Sequence, residues 1–209
     1  MVSRQEQRSE ETKRSILSAA GALFAKKGYD AVTMREIAKE ARCSHTTIYI
    51  YFRDKEALLH ELSMPPLTEL KQSMEETLVH AARSPIQRLK AISQQFIRFC
   101  LRHRNMEAIF FKVKAVRVDE AEPTLAINNL RNDLFALMKR ALQECLPPSA
   151  DDTSLLTCSR IYFYTLHGIV GTYMHSEEPL EPLMERLETT FEEAVEVLLV
   201  GFQHRLKER

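Results

Sequence analysis

Residues 32–59 limit the fold more than any other part of the chain. Thr33-Met34-Arg35-Glu36 is a capping box, in which a threonine and the glutamate three residues later satisfy each other's backbone N–H groups. It starts a short helix whose Ile37, Ala38 and Ala41 form an inward face. Arg42 and Cys43 leave room only for a tight turn before Ser44, a strong N-cap, opens a third helix that runs to about Tyr51. In that helix Ile48 and Phe52, four apart, point to the core, while His45, Thr46 and Tyr49 fall on the opposite side.

Two short helices joined this tightly make a helix-turn-helix when the second exposes polar groups and buries its back. A helix of about seven residues is roughly 10 Å long and fits a major groove about 12 Å wide. Its first residues would meet base edges and its end the backbone. Thr33 and Ser44 are caps whatever else they do. Tyr51 reads either as a surface phenol or as a core aromatic, and Ile50 either as a contact to a thymine methyl or as packing. Thr46 and Thr47 carry both methyl and hydroxyl groups, so neither specifies one base pair.

The flanks are helical. Ile16, Ala19, Ala20, Leu23 and Phe24 predict a first helix over 11–27, with Lys26 and Lys27 in its last turn and Gly28 as a left-handed C-cap. Asp54 caps a fourth helix over 55–62, and Ser63-Met64-Pro65-Pro66 is expected to interrupt or kink the chain there. The domain junction is placed at that point, giving domains 1–62 and 63–209. Further helices are predicted over 67–82, 86–104, 105–118, 123–146, 154–175 and 182–206, between proline-containing breaks. With no alternating strand pattern of any length, the fold class is all-α.

Charge supports a nucleic-acid partner only weakly. Residues 1–60 carry 11 Lys/Arg against 8 Asp/Glu, and residues 61–209 carry 18 against 21, so a net charge of zero hides a mild asymmetry. No apolar run approaches the roughly 18–20 uncharged residues of a membrane span, and the first residues hold no apolar signal segment. Cys43, Cys100, Cys145 and Cys158 are scattered, which predicts free thiols in a reducing, cytoplasmic setting with no membrane partner. Cys100 with His103 is at most half a metal site, and neither a phosphate loop nor a nucleophile motif is present. No metal, no cofactor and no enzymatic activity are expected.

Val32-Thr33-Met34-Arg35-Glu36-Ile37-Ala38, followed by Ser44-His45-Thr46-Thr47-Ile48-Tyr49-Ile50-Tyr51-Phe52-Arg53-Asp54-Lys55-Glu56-Ala57-Leu58-Leu59, resembles the DNA-binding signature of the TetR family of bacterial regulators, with matching spacing across residues 11–60. The resemblance implies a three-helix, homeodomain-like DNA-binding domain followed by a helical ligand-binding and dimerisation domain of about six helices. It implies phosphate contacts from Thr33, Tyr49, Tyr51 and Lys55, a base contact from Arg35, and a recognition set of His45, Thr46 and Thr47 opened by Ser44. Arg42 departs from it, because the family usually has glycine there; a left-handed arginine costs roughly 1 kcal/mol relative to glycine, and its side chain reads alternatively as a phosphate contact.

In the larger domain, helix 154–175 is apolar nearly all round and must be covered on both sides. Helix 182–206 carries two stripes, Leu187-Phe191-Ala194-Leu198 and Val195-Leu199-Phe202. Facing both the chain's own core and an identical helix pair explains these patterns, and resembles the family's four-helix dimer interface. Ile161, Gly168, Gly171, Phe191 and Leu198 are placed on it, the glycines permitting close backbone approach. The family's effector pocket would lie among helices 86–175, with Phe96, Cys100 and His103 on one face, Phe110 and Arg117 on the next, and Tyr164 and His167 projecting inward. Arg117 reads either as an internal salt bridge or snorkelling stem or as a partner for a ligand anion, and both histidines read also as core or surface residues. The function implied is a sequence-specific transcriptional regulator: a homodimeric repressor released from palindromic operator DNA by an unknown small molecule. A ligand-independent architectural DNA-binding protein is the alternative.

Overall fold

The structure, a computed structural model, describes residues 3–104 and 126–208, and every regular element among them is a helix. In chain order these are α1 (Arg4–Lys27), α2 (Met34–Glu40), α3 (His45–Tyr51), α4 (Lys55–Leu78), α5 (Pro85–Arg102), α6 (Ala126–Gln143), α7 (Asp152–Tyr173) and α8 (Leu180–Lys207). The helix predicted over 105–118 lies outside the described residues. The chain divides into two compact units, one running up to Pro66 and the other starting at Leu67.

In the first unit, Ile16, Ala20 and Phe24 of α1 close against Val32, Ile37, Ile48, Leu58 and Leu59, all essentially inaccessible to water. α1 begins seven residues before the predicted start. A second capping box, Ser3 with Glu6, satisfies the first N–H groups: Glu6 N donates to Ser3 Oγ at 3.2 Å, and Ser3 N to the Glu6 carboxylate at 2.6 Å. Hydrophobic periodicity misses these turns because they bury little; the cap alone marks them. Gly28 ends α1 with φ 79° and ψ 156°, a region open essentially to glycine alone, in place of the left-handed cap expected.

The expected interruption at Ser63-Met64-Pro65-Pro66 is absent: α4 runs through both prolines without a break. Proline removes an N–H and crowds the carbonyl four residues back. Leu58, Leu59, Leu67, Leu70 and Met74 are buried on either side of the pair, so packing along the whole length holds the helix where local preference would end it. Buried Ser63 donates its hydroxyl to Leu59 O at 2.6 Å.

The second unit is a helical layer around α5, whose Leu89, Ile92, Phe96 and Ile97 are buried. A capping box of Ser84 and Gln87 with Pro85 in the first turn starts it. At its centre Tyr162 of α7 meets Ser93 of α5, oxygen to oxygen, at 2.6 Å, both fully buried. Met184, Leu187, Phe191, Val195, Leu199 and Phe202 form the inward seam of α8. Surface ion pairs, such as Lys90 with Glu196 at 2.8 Å and Lys71 with Asp133 at 2.7 Å, fix helix register more than they add stability.

Candidate nucleic-acid interface

α2 and α3 are built by four local devices. Thr33 Oγ1 accepts from Glu36 N at 3.3 Å and donates to the Glu36 carboxylate at 2.9 Å, while Thr33 N donates to the same carboxylate. Lys27 at the end of α1 holds the other carboxylate oxygen at 2.8 Å. That lysine first, and Thr33 next, pull the Glu36 pKa down to about 2. The turn after α2 is a Schellman closure: Cys43 N donates to Ala38 O at 3.0 Å and Arg42 N to Lys39 O at 3.2 Å. Arg42, at the position that motif reserves for a left-handed residue, has φ 55° and is the one positive-φ residue other than glycine among those described. Ser44 then caps α3, accepting from Thr47 N at 2.9 Å.

This construction turns one side of α3 outward. Ile48 is wholly buried and Phe52 nearly so. His45, Thr46 and Tyr49 are exposed, and the His45 and Tyr49 rings meet edge to face at 5.1 Å, stiffening the face. Ile50 is 75% exposed, which removes the packing alternative and leaves a bare apolar side chain on the same short helix. Arg35 and Ser44 are exposed beside it.

The other expected contact residues hold the motif together. Thr33 is occupied with Glu36, and the Thr47 hydroxyl lies 2.7 Å from Ser44 Oγ. Tyr51 is half-buried with its hydroxyl 3.2 Å from Ser9 Oγ, tying α3 to α1, so it is neither a free phenol nor a core ring. Lys55 was expected to grip phosphate. Its ammonium instead donates to Tyr29 O at 2.7 Å, Val32 O at 2.9 Å and Asp30 O at 3.5 Å, and sits 4.3 Å from the Tyr29 ring centre. An ammonium has three protons; here all three face the loop between α1 and α2. Sequence spacing places Lys55 at the head of α4 but says nothing of the loop carbonyls that fold back over it.

In the second unit, Phe96 and Cys100 are buried, with Phe96 and Phe135 each about a ring's width from Phe163, at 6.0 and 5.8 Å. Burial pushes the Cys100 thiol pKa well up, so it stays protonated. His103 caps α5 against Phe99 at 4.7 Å; burial first, then Arg102, lowers its pKa. His167 is half-buried, 6.2 Å from Phe163. Phe110 and Arg117 lie outside the described residues. Tyr164, expected to point inward, is 63% exposed: it falls on the outward stripe of α7, one turn before Gly168. Missed by sequence was the buried pair Asn128 and Arg131 of α6, joined at 3.1 Å, which helical spacing puts on the same side as Leu134 and Phe135.

Of the residues assigned to a dimer face, Gly168 and Gly171 are exposed with open space where a side chain would project, and Ile161 and Leu198 are half-exposed. Phe191 is only 2% exposed and packs inside the chain's own core, 5.9 Å from the Tyr173 ring. Exposed alongside the glycines are Tyr164 on α7, and Val197 (67%), Val200 (60%) and Gly201 on α8. Among the described residues no His/Cys/Asp/Glu cluster could hold a metal ion, and no helix is long and apolar enough to cross a membrane.

Residues 16–62 match the family model of bacterial regulatory proteins of the tetR family. The uncharacterized HTH-type transcriptional regulator YhgD of Bacillus subtilis is 41% identical over 66 residues, covering 32% of this chain and 35% of that protein. The chain thus spans about a third of that relative. The HTH-type transcriptional regulator AcrR of Shigella flexneri is 28% identical over 166 residues, covering 75% of this chain and 74% of that one. Solved structures share the fold across both units. The fatty acid degradation regulator FadR from Bacillus halodurans superposes with a TM-score of 0.63 at 20% identity, covering 90% of this chain and 94% of that one. FadR from Bacillus subtilis, in complex with stearoyl-CoA, gives 0.63 at 20% identity, covering 90% and 98%. A capped, outward-facing α3 on a three-helix core and the matched domain agree: residues 16–62 are similar to the DNA-binding domain of bacterial regulatory proteins of the tetR family, and the chain shares the fold of solved regulators of that family.

Proposed function

We propose that the protein is a cytoplasmic, sequence-specific transcriptional regulator, a homodimeric repressor that leaves palindromic operator DNA when a small molecule binds its second unit. The observation that carries this is α3 itself. Its buried Ile48 and exposed His45, Thr46, Tyr49 and Ile50 make a rod with an apolar back and a mixed hydroxyl, imidazole and methyl front, sized for a major groove. His45 and Thr46 read base edges, Ile50 reaches thymine methyls, and Arg35 contacts the duplex from the start of α2. Thr33, Thr47, Tyr51 and Lys55 set the position of these groups.

Dimerisation follows from the face on α7 and α8. Tyr164, Gly168, Gly171, Val197, Val200 and Gly201 lie on outward stripes of two long helices, small and apolar where a monomer's surface is normally charged. A two-fold pair would present two α3 helices to half-sites roughly 34–36 Å apart. The effector would lie among α5, α6 and α7, where Phe96, Phe135 and Phe163 supply apolar walls. The B. subtilis FadR with stearoyl-CoA, which shares the fold, supports a largely apolar effector.

Selection from a random duplex library with the full-length protein tests this. Enrichment of one palindromic site is expected, and His45→Ala is expected to change the enriched bases. Binding without any enrichment would mean an architectural protein, and no binding would end the DNA reading.

A further inference from the structure

The proposed DNA face comprises α3 and the start of α2, and a cleft of about 450 Å³ opens next to it between α1 and the turn. Arg8, Glu11, Thr12 and Ser15 of α1 form one wall; Arg42 of the turn and Thr47 of α3 form the other. The cleft is fixed in shape. Ser15 Oγ donates to Ala41 O at 3.2 Å, pinning α1 to the turn, and Thr47 is held by its bond to Ser44.

Lys13, Lys27 and Arg53 form ion pairs, and Lys55 is enclosed by carbonyls. Several other cations of this unit, Arg4, Arg14, Lys26, Arg35 and Lys39 among them, have no side-chain bond among the described residues, and Arg8 and Arg42 are the two such cations that line the cleft, although Glu11 lies there too. Arg42 also occupies a left-handed backbone position that glycine fills without strain. The left-handed backbone closes the turn after α2, and it leaves the guanidinium unbonded beside the cleft.

We propose that Arg8 and Arg42 clamp a backbone phosphate of duplex DNA in this cleft, so that α1 and the turn extend the interface beyond α3. This inference rests on α3 being the DNA-reading helix. Guanidinium forks match phosphate oxygens in pairs; the Thr12 and Ser15 hydroxyls line the same space but give their protons to Arg8 O and Ala41 O, so the guanidiniums carry the anion. The phosphate bound would flank the groove read by His45 and Thr46, because Thr47 is shared between cleft and helix. Glu11 opposes the anion and tempers the affinity.

The test uses full-length protein and the duplex enriched in the selection, with affinity measured against salt concentration for wild type, R8A, R42G and E11Q. R8A and R42G should each weaken binding several-fold and reduce the slope of log K against log salt by up to about 1.8, one phosphate contact in each subunit of the pair. E11Q should strengthen binding. The enriched sequence should stay the same in all three, because phosphate contacts carry no base information. R42G suits a φ of 55°, so an undiminished thermal midpoint separates lost contact from lost fold. Wild-type affinity and slope in both arginine variants would overturn the clamp while leaving the DNA reading intact. Failure of the wild type to bind any duplex would overturn both.

Discussion

Glu36 shows how much one exposed carboxylate organises. It closes the capping box of α2 and receives Lys27 from α1, so one charge fixes both the start of the motif and its approach to α1. Its pKa is depressed to about 2. A depressed carboxylate stabilises the fold above its ordinary value near 4.5, and that contribution disappears as pH falls towards 2. E36Q should therefore melt below the wild type at pH 7, and the two should converge as the pH approaches 2. Parallel melting curves at both pH values would show that the charge does no structural work. Lys55 makes the same point from the other sign: its position at the head of α4 suggests a ligand contact, and its three carbonyl neighbours make it a loop clamp.

At the scale of elements, helix ends follow caps and helix continuity follows packing. Ser3, Thr33, Ser44, Ser84 and Asp151 each start a helix by accepting a backbone N–H; Thr33 and Ser44 are legible as caps in the sequence, and the other three emerge with the structure. Pro65 and Pro66 do not end α4, because the buried leucines on both sides outweigh a local penalty. α5 and α7 are joined by a directional contact. Ser93 donates to Leu89 O at 2.7 Å, so the Tyr162 hydroxyl donates to Ser93. Removing the serine strands a buried phenol, at about 1–3 kcal/mol; removing the phenol leaves Ser93 satisfied and costs about 1 kcal/mol. S93A should therefore unfold at lower denaturant than Y162F. The reverse order would contradict the assigned donor.

At the scale of the molecule, the unpartnered surface of α7 and α8 is the feature a single chain leaves unexplained. V197E places a charge at an exposed position, so the isolated subunit should keep its helicity while a dimer loses it as a contact. Sedimentation velocity should show a dimer for the wild type and a monomer for the variant, with duplex affinity falling in parallel. A monomeric wild type, or a variant that stays dimeric, would remove this face from the assembly.

The sequence by itself determined the helical class, the caps that delimit α2 and α3, the inward Ile48 and the outward His45 and Thr46, because period and cap chemistry are local. The resemblance also pointed to the turn position of Arg42, three residues before the next helix begins. Only the tertiary structure decided what depends on other segments folding back: carbonyls around Lys55, Ser9 on Tyr51, the outward turn of Tyr164, Phe191 inside its own core, and the cleft between Arg8 and Arg42. Periodicity says that a helix has an apolar face. It does not say which neighbour covers that face, since burial is a relation between segments and no single segment contains it.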